Sequence, residues 1–301
     1  MTQIDKKCGW RWLVVYSLIL LTRCGTLPNG QRWGQEATLR PGWRRVGTAA
    51  VDAALSPRVW VPAVGGGAFL IGDELGNIDH KLSDWAATHT PVFGSQKRAE
   101  QISDYLVYTA GVAASLTALA TPSGAMPAAW KEGQAAEEWE WLAAKGKAML
   151  GVDGGAVLLT HATNSWFLKN ITHRPRPYTS DPAEAAMHDP AEANKSFPSG
   201  HTSTTAVLTT LASRNVEYFP WPKEGRTALQ YGLIGLTLST AWARVEAHQH
   251  FPSDVLVGAA IGNFFGAFIN DAFLGLHRPH EGGVTIQPTR DGVMLGLRWP
   301  W

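Results

Sequence analysis

Cysteine is nearly missing from this chain: 301 residues contain two, Cys8 and Cys24. So few exclude a disulfide framework and any zinc or redox site built on thiolates. A surplus of one charge is also missing. Twenty-six Lys and Arg stand against 25 Asp and Glu, a net charge of +1, so no basic field argues for a nucleic-acid partner. Alternating β-branched residues are scarce, which disfavours a sheet protein. Long apolar runs are lacking as well. The cleanest reach about 14–17 residues, short of the roughly 18 to 20 a membrane span needs. Asp153, Asn263 and Asp271 interrupt them, and mean hydropathy is −0.10. These features favour a mostly water-soluble fold over membrane spans.

Tryptophan, by contrast, is plentiful at 14 residues. It suits both core packing and lipid-facing surfaces. The N-terminus is patterned for export: Lys6, Lys7 and Arg11 flank the apolar run "WLVVYSLILL", Trp12–Leu21, which has the length of a secretory h-region. Cys24 then stands where a bacterial lipoprotein would be cleaved and lipidated, although Arg23 replaces the small residue that pattern wants. The alternative is an uncleaved amphipathic anchor. The expected location is outside the cytoplasm, periplasmic or anchored to the periplasmic side of a bacterial envelope, with membrane association through the N-terminus.

Residues 1–24 thus read as a signal peptide and 25–56 as a tether without periodicity. Residues 57–280 read as a helical domain and 281–301 as a tail. Within 57–280, apolar segments at Val59–Gly72, Tyr105–Ala120, Ala148–Leu168, Thr202–Ala212, Leu229–Ala243 and Val255–Leu276 are separated by polar turns. Each is long enough for a helix, and the pattern predicts an all-α bundle. Gly258, Gly262 and Gly266 form a small-residue ridge for close helix approach. Trp130–Lys147 reads as a solvated helix face. "DPAEAAMHDPAEAN", Asp181–Asn194, reads as a surface loop, and Val284–Trp299 as a β-hairpin turning at Arg290-Asp291-Gly292.

Polar residues gather in three islands beside predicted helix ends. In "KNITHRPRP", Lys169–Pro177, the prolines stop a helix and present Arg174 and Arg176 as rigid guanidinium forks, suited to phosphate oxygens. In "PSGH", Pro198–His201, a helix should start at Ser199 or Gly200. Its free amides, the Ser199 hydroxyl and Gly200 make an anion pocket with His201 in the first turn. In "RVEAHQHFPSD", Arg244–Asp254, Pro252 opens a helix. Asp254 lies four residues after His250 and can reach one ring nitrogen, which would fix the tautomer and leave the other as a nucleophile. The remaining histidines read as surface or packing residues.

Taken together the islands resemble the three-part signature of the type 2 phosphatidic acid phosphatase superfamily, which includes bacterial acid phosphatases and vanadium haloperoxidases. Lys169 with Arg176-Pro177, then Pro198–His201, then Arg244, His250 and Asp254 match ten specified positions in order. Ala243 stands where the family usually has Ser. The resemblance implies an acid phosphatase/haloperoxidase-type helical bundle and a phosphatase acting on a lipid phosphate or small organic phosphate without metal or other cofactor. By the same resemblance His250 is the nucleophile that forms a phosphohistidine, oriented by Asp254, and His201 the general acid. Lys169, Arg176, Ser199, Gly200 and Arg244 bind the phosphate. Two alternatives are a vanadium-dependent haloperoxidase with His250 as axial ligand and a non-catalytic envelope lipoprotein.

Overall fold

The structure is a computed structural model that describes residues 27, 30–123, 135–275, 283–289 and 292–298. The segment read as a signal peptide, with Cys8 and Cys24, lies outside these residues. Eleven α-helices are described: α1 Trp43–Leu55, α2 Pro57–Gly76, α3 Ile78–His89, α4 Gln96–Ala120, α5 Ala135–Gly146, α6 Gly154–His161, α7 Lys169–Thr172, α8 Pro182–Ala185, α9 Gly200–Val216, α10 Lys223–Glu246 and α11 Pro252–Phe273. Two π-helical stretches, Lys147–Asp153 and Ala162–Leu168, link α5, α6 and α7. The architecture is the all-α bundle expected, followed by an antiparallel pair, β1 Gly283–Thr289 and β2 Gly292–Arg298. Gly283 faces Arg298 and Thr289 faces Gly292; the expected turn residues 290 and 291 lie outside the described residues.

Helices α9 and α11 form the centre. α9 packs on α11, α4, α10 and α6, while α11 also packs on α2 and α1. The glycine ridge explains this closeness. A Cβ on Gly258 would sit 2.7 Å from the Ser199 carbonyl oxygen, and one on Gly262 would overlap the Ser203 carbonyl. With no side chain there, the α11 backbone lies directly on the first turns of α9. The core beside them is mostly small: Ala118, Ala148, Ala156 and Val207 are fully or nearly fully buried, with Leu211 and Trp33 as its large members.

Several expectations are corrected here. The stretch read as a tether holds α1 and the fully buried Trp33. α3 had no predicted counterpart, because the residues it buries include Asp79 and Ser83 rather than a run of large apolar side chains. The helix end read as merely solvated carries a buried Lys145. Its Nζ donates to the carbonyls of Ala118, Leu119 and Thr121 at 2.5, 3.0 and 2.9 Å, closing the C-terminus of α4. Burial pushes this lysine down to about 7. Helix lengths also exceed the apolar runs: α4 spans 25 residues and α11 spans 22, and both are long and apolar enough to cross a membrane.

Candidate functional site

The three islands meet at the ends of α7, α9 and α11. α7 ends at His173, which takes the left-handed conformation (φ 45°), and the Pro175 that follows keeps the chain extended. Lys169 lies in this short helix, half-buried. Its Nζ is 3.8 Å from where a Cβ on Gly200 would stand, so glycine leaves open the space between the amine and the start of α9. Burial, then the nearby Arg176, pushes the Lys169 amine down to about 8. Arg176 is 7 % exposed. Its Nε donates to the Glu192 carbonyl and its Nη2 to the Glu192 carboxylate, both at 3.0 Å, and its Nη1 donates to Gln249 Oε1.

The second island follows a cis Phe197–Pro198 peptide. Ser199 is the N-cap of α9, its hydroxyl accepting from the Thr202 amide, as the Ser at a helix start should. His201 follows in the first turn with a partner the sequence did not suggest: Asp104, on α4, lies 2.8 Å from its Nε2. Burial, then Arg244, pushes His201 down to about 4, while Asp104 pulls the other way.

The third island is a tight turn between α10 and α11. The Arg244 carbonyl accepts from the amides of both Gln249 and His250 at 3.2 Å. His248 takes φ 57° in this turn, a conformation His tolerates better than most residues. Glu184 on its Nδ1 (2.9 Å) and Asp84 on its Nε2 (3.1 Å) hold it there, so this histidine is a buried tie rather than a surface residue. Arg244 is 4 % exposed and donates to the Ser103 hydroxyl at 3.2 Å and to Gln249 Oε1 at 3.5 Å. Burial, then Arg176, brings it down to about 10.

His250 is 1 % exposed. Its Nδ1–H donates to the Ser196 carbonyl at 2.7 Å, which fixes the tautomer and leaves Nε2 with the lone pair. Asp254 Oδ2 is 3.7 Å from Nδ1, beyond hydrogen-bond range. The direct bond expected from the spacing is therefore replaced by an indirect one: Asp254 Oδ2 accepts from the Ser196 hydroxyl at 2.5 Å and from the Phe251 amide at 2.9 Å. Burial, then Arg176, Arg244 and Lys169, hold His250 well below the usual imidazole range.

Arg174 departs from its expected part in gripping phosphate. Its Nη1 binds Asp254 Oδ1 at 2.7 Å and Ser253 at 2.6 Å, its Nη2 binds Asp79 at 2.9 Å, and the guanidinium covers the Phe251 ring at 4.2 Å. It is a strut between α3 and α11. The loop 181–194 folds over the islands through Glu184, His188 and Glu192. The sequence missed Asp104, Ser196, Asp79, Gln249 and Glu192 in these parts. Each acts through a tertiary approach or a backbone carbonyl, and none has a spacing that marks it.

The fold and these contacts define a class: a helical bundle that gathers two imidazoles, one lysine and two arginines at and beside helix ends. Residues 152–276 match the family model described as the PAP2 superfamily. The segment contains all three islands. Two curated proteins of Mycobacterium tuberculosis, from strains CDC 1551/Oshkosh and ATCC 25618/H37Rv, are both named decaprenylphosphoryl-5-phosphoribose phosphatase. Each is 28 % identical over 142 residues, covering 47 % of this chain and 66 % of its own length, just under two thirds. No solved structure matches the chain.

Proposed function

We propose that the chain is a phosphatase that cleaves a phosphate ester through a phosphohistidine on His250. The observation that carries this reading is the state of that ring. It is buried and held neutral among Lys169, Arg176 and Arg244, and its Nδ1–H is committed to Ser196. Nε2 is thus a fixed nucleophile facing a cationic cage that needs an anion. In the first step Nε2 attacks phosphorus and the P–O bond to the leaving group breaks. His201 gives that oxygen its proton. Water then attacks phosphorus, passes a proton to His201, and the P–N bond breaks to restore His250. Lys169, Arg176, Arg244 and the amides at the start of α9 neutralise the equatorial oxygens throughout. Those cations supply the positive charge, so turnover in excess chelator is expected.

We infer a lipid phosphate as the substrate. Trp166, Phe167 and Ile171 are exposed on either side of Lys169, and Tyr105 and Tyr108 beside Asp104, so apolar surface flanks the cage. α4 and α11 have the length and composition for membrane contact, and the mycobacterial relatives are named for a lipid-linked sugar phosphate. The deciding experiment measures phosphate release from lipid and soluble esters, with acid quenching to trap a labelled, acid-labile phosphoprotein. His250→Ala should keep its helical signal and lose both turnover and label. More than a few per cent residual turnover would count against His250 as nucleophile.

A further inference from the structure

We propose that Gln249 is a positioning residue that holds Arg176 and Arg244 as a matched pair for the transferred phosphate. The role rests on the phosphatase reading above. Two guanidiniums that are 7 % and 4 % exposed share one acceptor, and Arg176 disfavours the charge on Arg244. One oxygen, Gln249 Oε1, accepts from both, from Arg176 Nη1 and from Arg244 Nη2 at 3.5 Å. Gln249 is itself 4 % exposed and its position is fixed from three sides. Its amide and that of His250 donate to the Arg244 carbonyl at 3.2 Å. Its Nε2 donates to His188 Nδ1 at 3.4 Å, and the His188 ring stacks on buried Tyr178 with centroids 4.1 Å apart.

The chemistry of the bridge matters. A carboxylate at this point would cancel part of the cage charge and compete with the incoming phosphate. An apolar side chain would leave two buried N–H groups without an acceptor, which is costly. A neutral carbonyl satisfies both donors and adds no negative charge beyond that of Glu192, which already pairs with Arg176 at 3.0 Å. Arg244 Nε has no acceptor among the described residues, and Arg176 keeps one further N–H on each terminal nitrogen, so donors remain for phosphate. Gln249 also adjoins the nucleophile, so a shift in this bridge moves the arginines and His250 together.

The test uses the full chain and two near-isosteric variants, Gln249→Glu and Gln249→Met. Readouts are kcat and KM on an ester that the wild type turns over, competitive inhibition by inorganic phosphate, and thermal melting. Gln249→Glu should melt no lower than wild type yet raise the phosphate inhibition constant about tenfold or more, because the added charge opposes the anion. Gln249→Met should melt lower and lose about tenfold in kcat with KM within roughly threefold, because unclamped arginines still bind but no longer match the transition state. Unchanged phosphate inhibition in Gln249→Glu, or unchanged kcat in a folded Gln249→Met, overturns the role of Gln249 alone. A folded wild type that neither releases phosphate nor is stabilised by it overturns the phosphatase reading and this role with it.

Discussion

At the scale of single residues, the pairing of His201 with Asp104 has the most direct consequence for chemistry. A general acid must hold its proton until the leaving oxygen needs it, and burial beside Arg244 works against that. Asp104 opposes the effect at 2.8 Å. Removing its charge with Asp104→Asn should lower the His201 pKa further. The limb of the kcat–pH profile on which activity falls as His201 loses its proton should then move to lower pH, and kcat near neutrality should drop about 10²-fold, the low end of what a positioned acid contributes. A profile superimposable on wild type would remove Asp104 from the mechanism. The ten motif residues were legible because their types and spacings are themselves the signature. Asp104 was not, because nothing in "AEQISDYLVY" marks it. It matters only because α4 lies against α9. The tautomer of His250 was half legible: the sequence offered Asp254 as a partner for one ring nitrogen, but a backbone carbonyl such as that of Ser196 leaves no trace in residue type.

At the scale of elements, most of the helices could be read from apolar periodicity, and their ends from Pro252, Ser199 and the prolines after Thr172. Two of the exceptions share a physical cause, while the four-residue α8 is too short to show periodicity. α1 and α3 bury small or polar side chains, Ala49, Ala53, Asp79 and Ser83, which carry little hydrophobic signal. The glycine ridge was legible as a means of close approach, and the structure identifies the partner as α9. A methyl group on Gly262 has to displace the backbone of Ser203 or open the helix pair. Overpacking of this sort costs about 1–3 kcal/mol. Gly262→Ala should therefore lower the melting temperature by several degrees, whereas Gly232→Ala, with open space around it, should not. Equal melting of the two variants would refute tight α9–α11 contact. Because the strain enters at the first turns of α9, Gly262→Ala should also slow turnover more than its loss of stability explains.

At the scale of the whole molecule, the site is built at a cost that pH reveals. A free imidazole titrates near 6.5; His201 is pushed down to about 4, and His250 is also held well below the free value. Between these values the unfolded chain takes up protons that the folded chain refuses, so stability declines as pH falls from about 6.5 through 4. Melting at about pH 5 should thus come at a lower temperature than at about pH 7.5. A bound oxyanion opposes the field of Lys169, Arg176 and Arg244 and raises both imidazoles, so inorganic phosphate should restore part of the loss at the acid end. His201→Gln should flatten the slope. A melting temperature that rises on acidification in phosphate-free buffer would contradict a buried, neutral His250. On the same scale, α4 and α11 are each long and apolar enough to cross a membrane, and they carry Asp104 and Asp254.

The amide of Ser199 donates to the carbonyl of Asp254 at 3.0 Å, so the first turns of α9 and α11 are stitched together at their tips. Neither can fray alone: loosening one start releases the other, along with the Ser196 carbonyl bonded to the His250 ring. Deuterium uptake at these two tips should therefore proceed as one event, at a common rate, with the reacting groups either all in register or all dispersed.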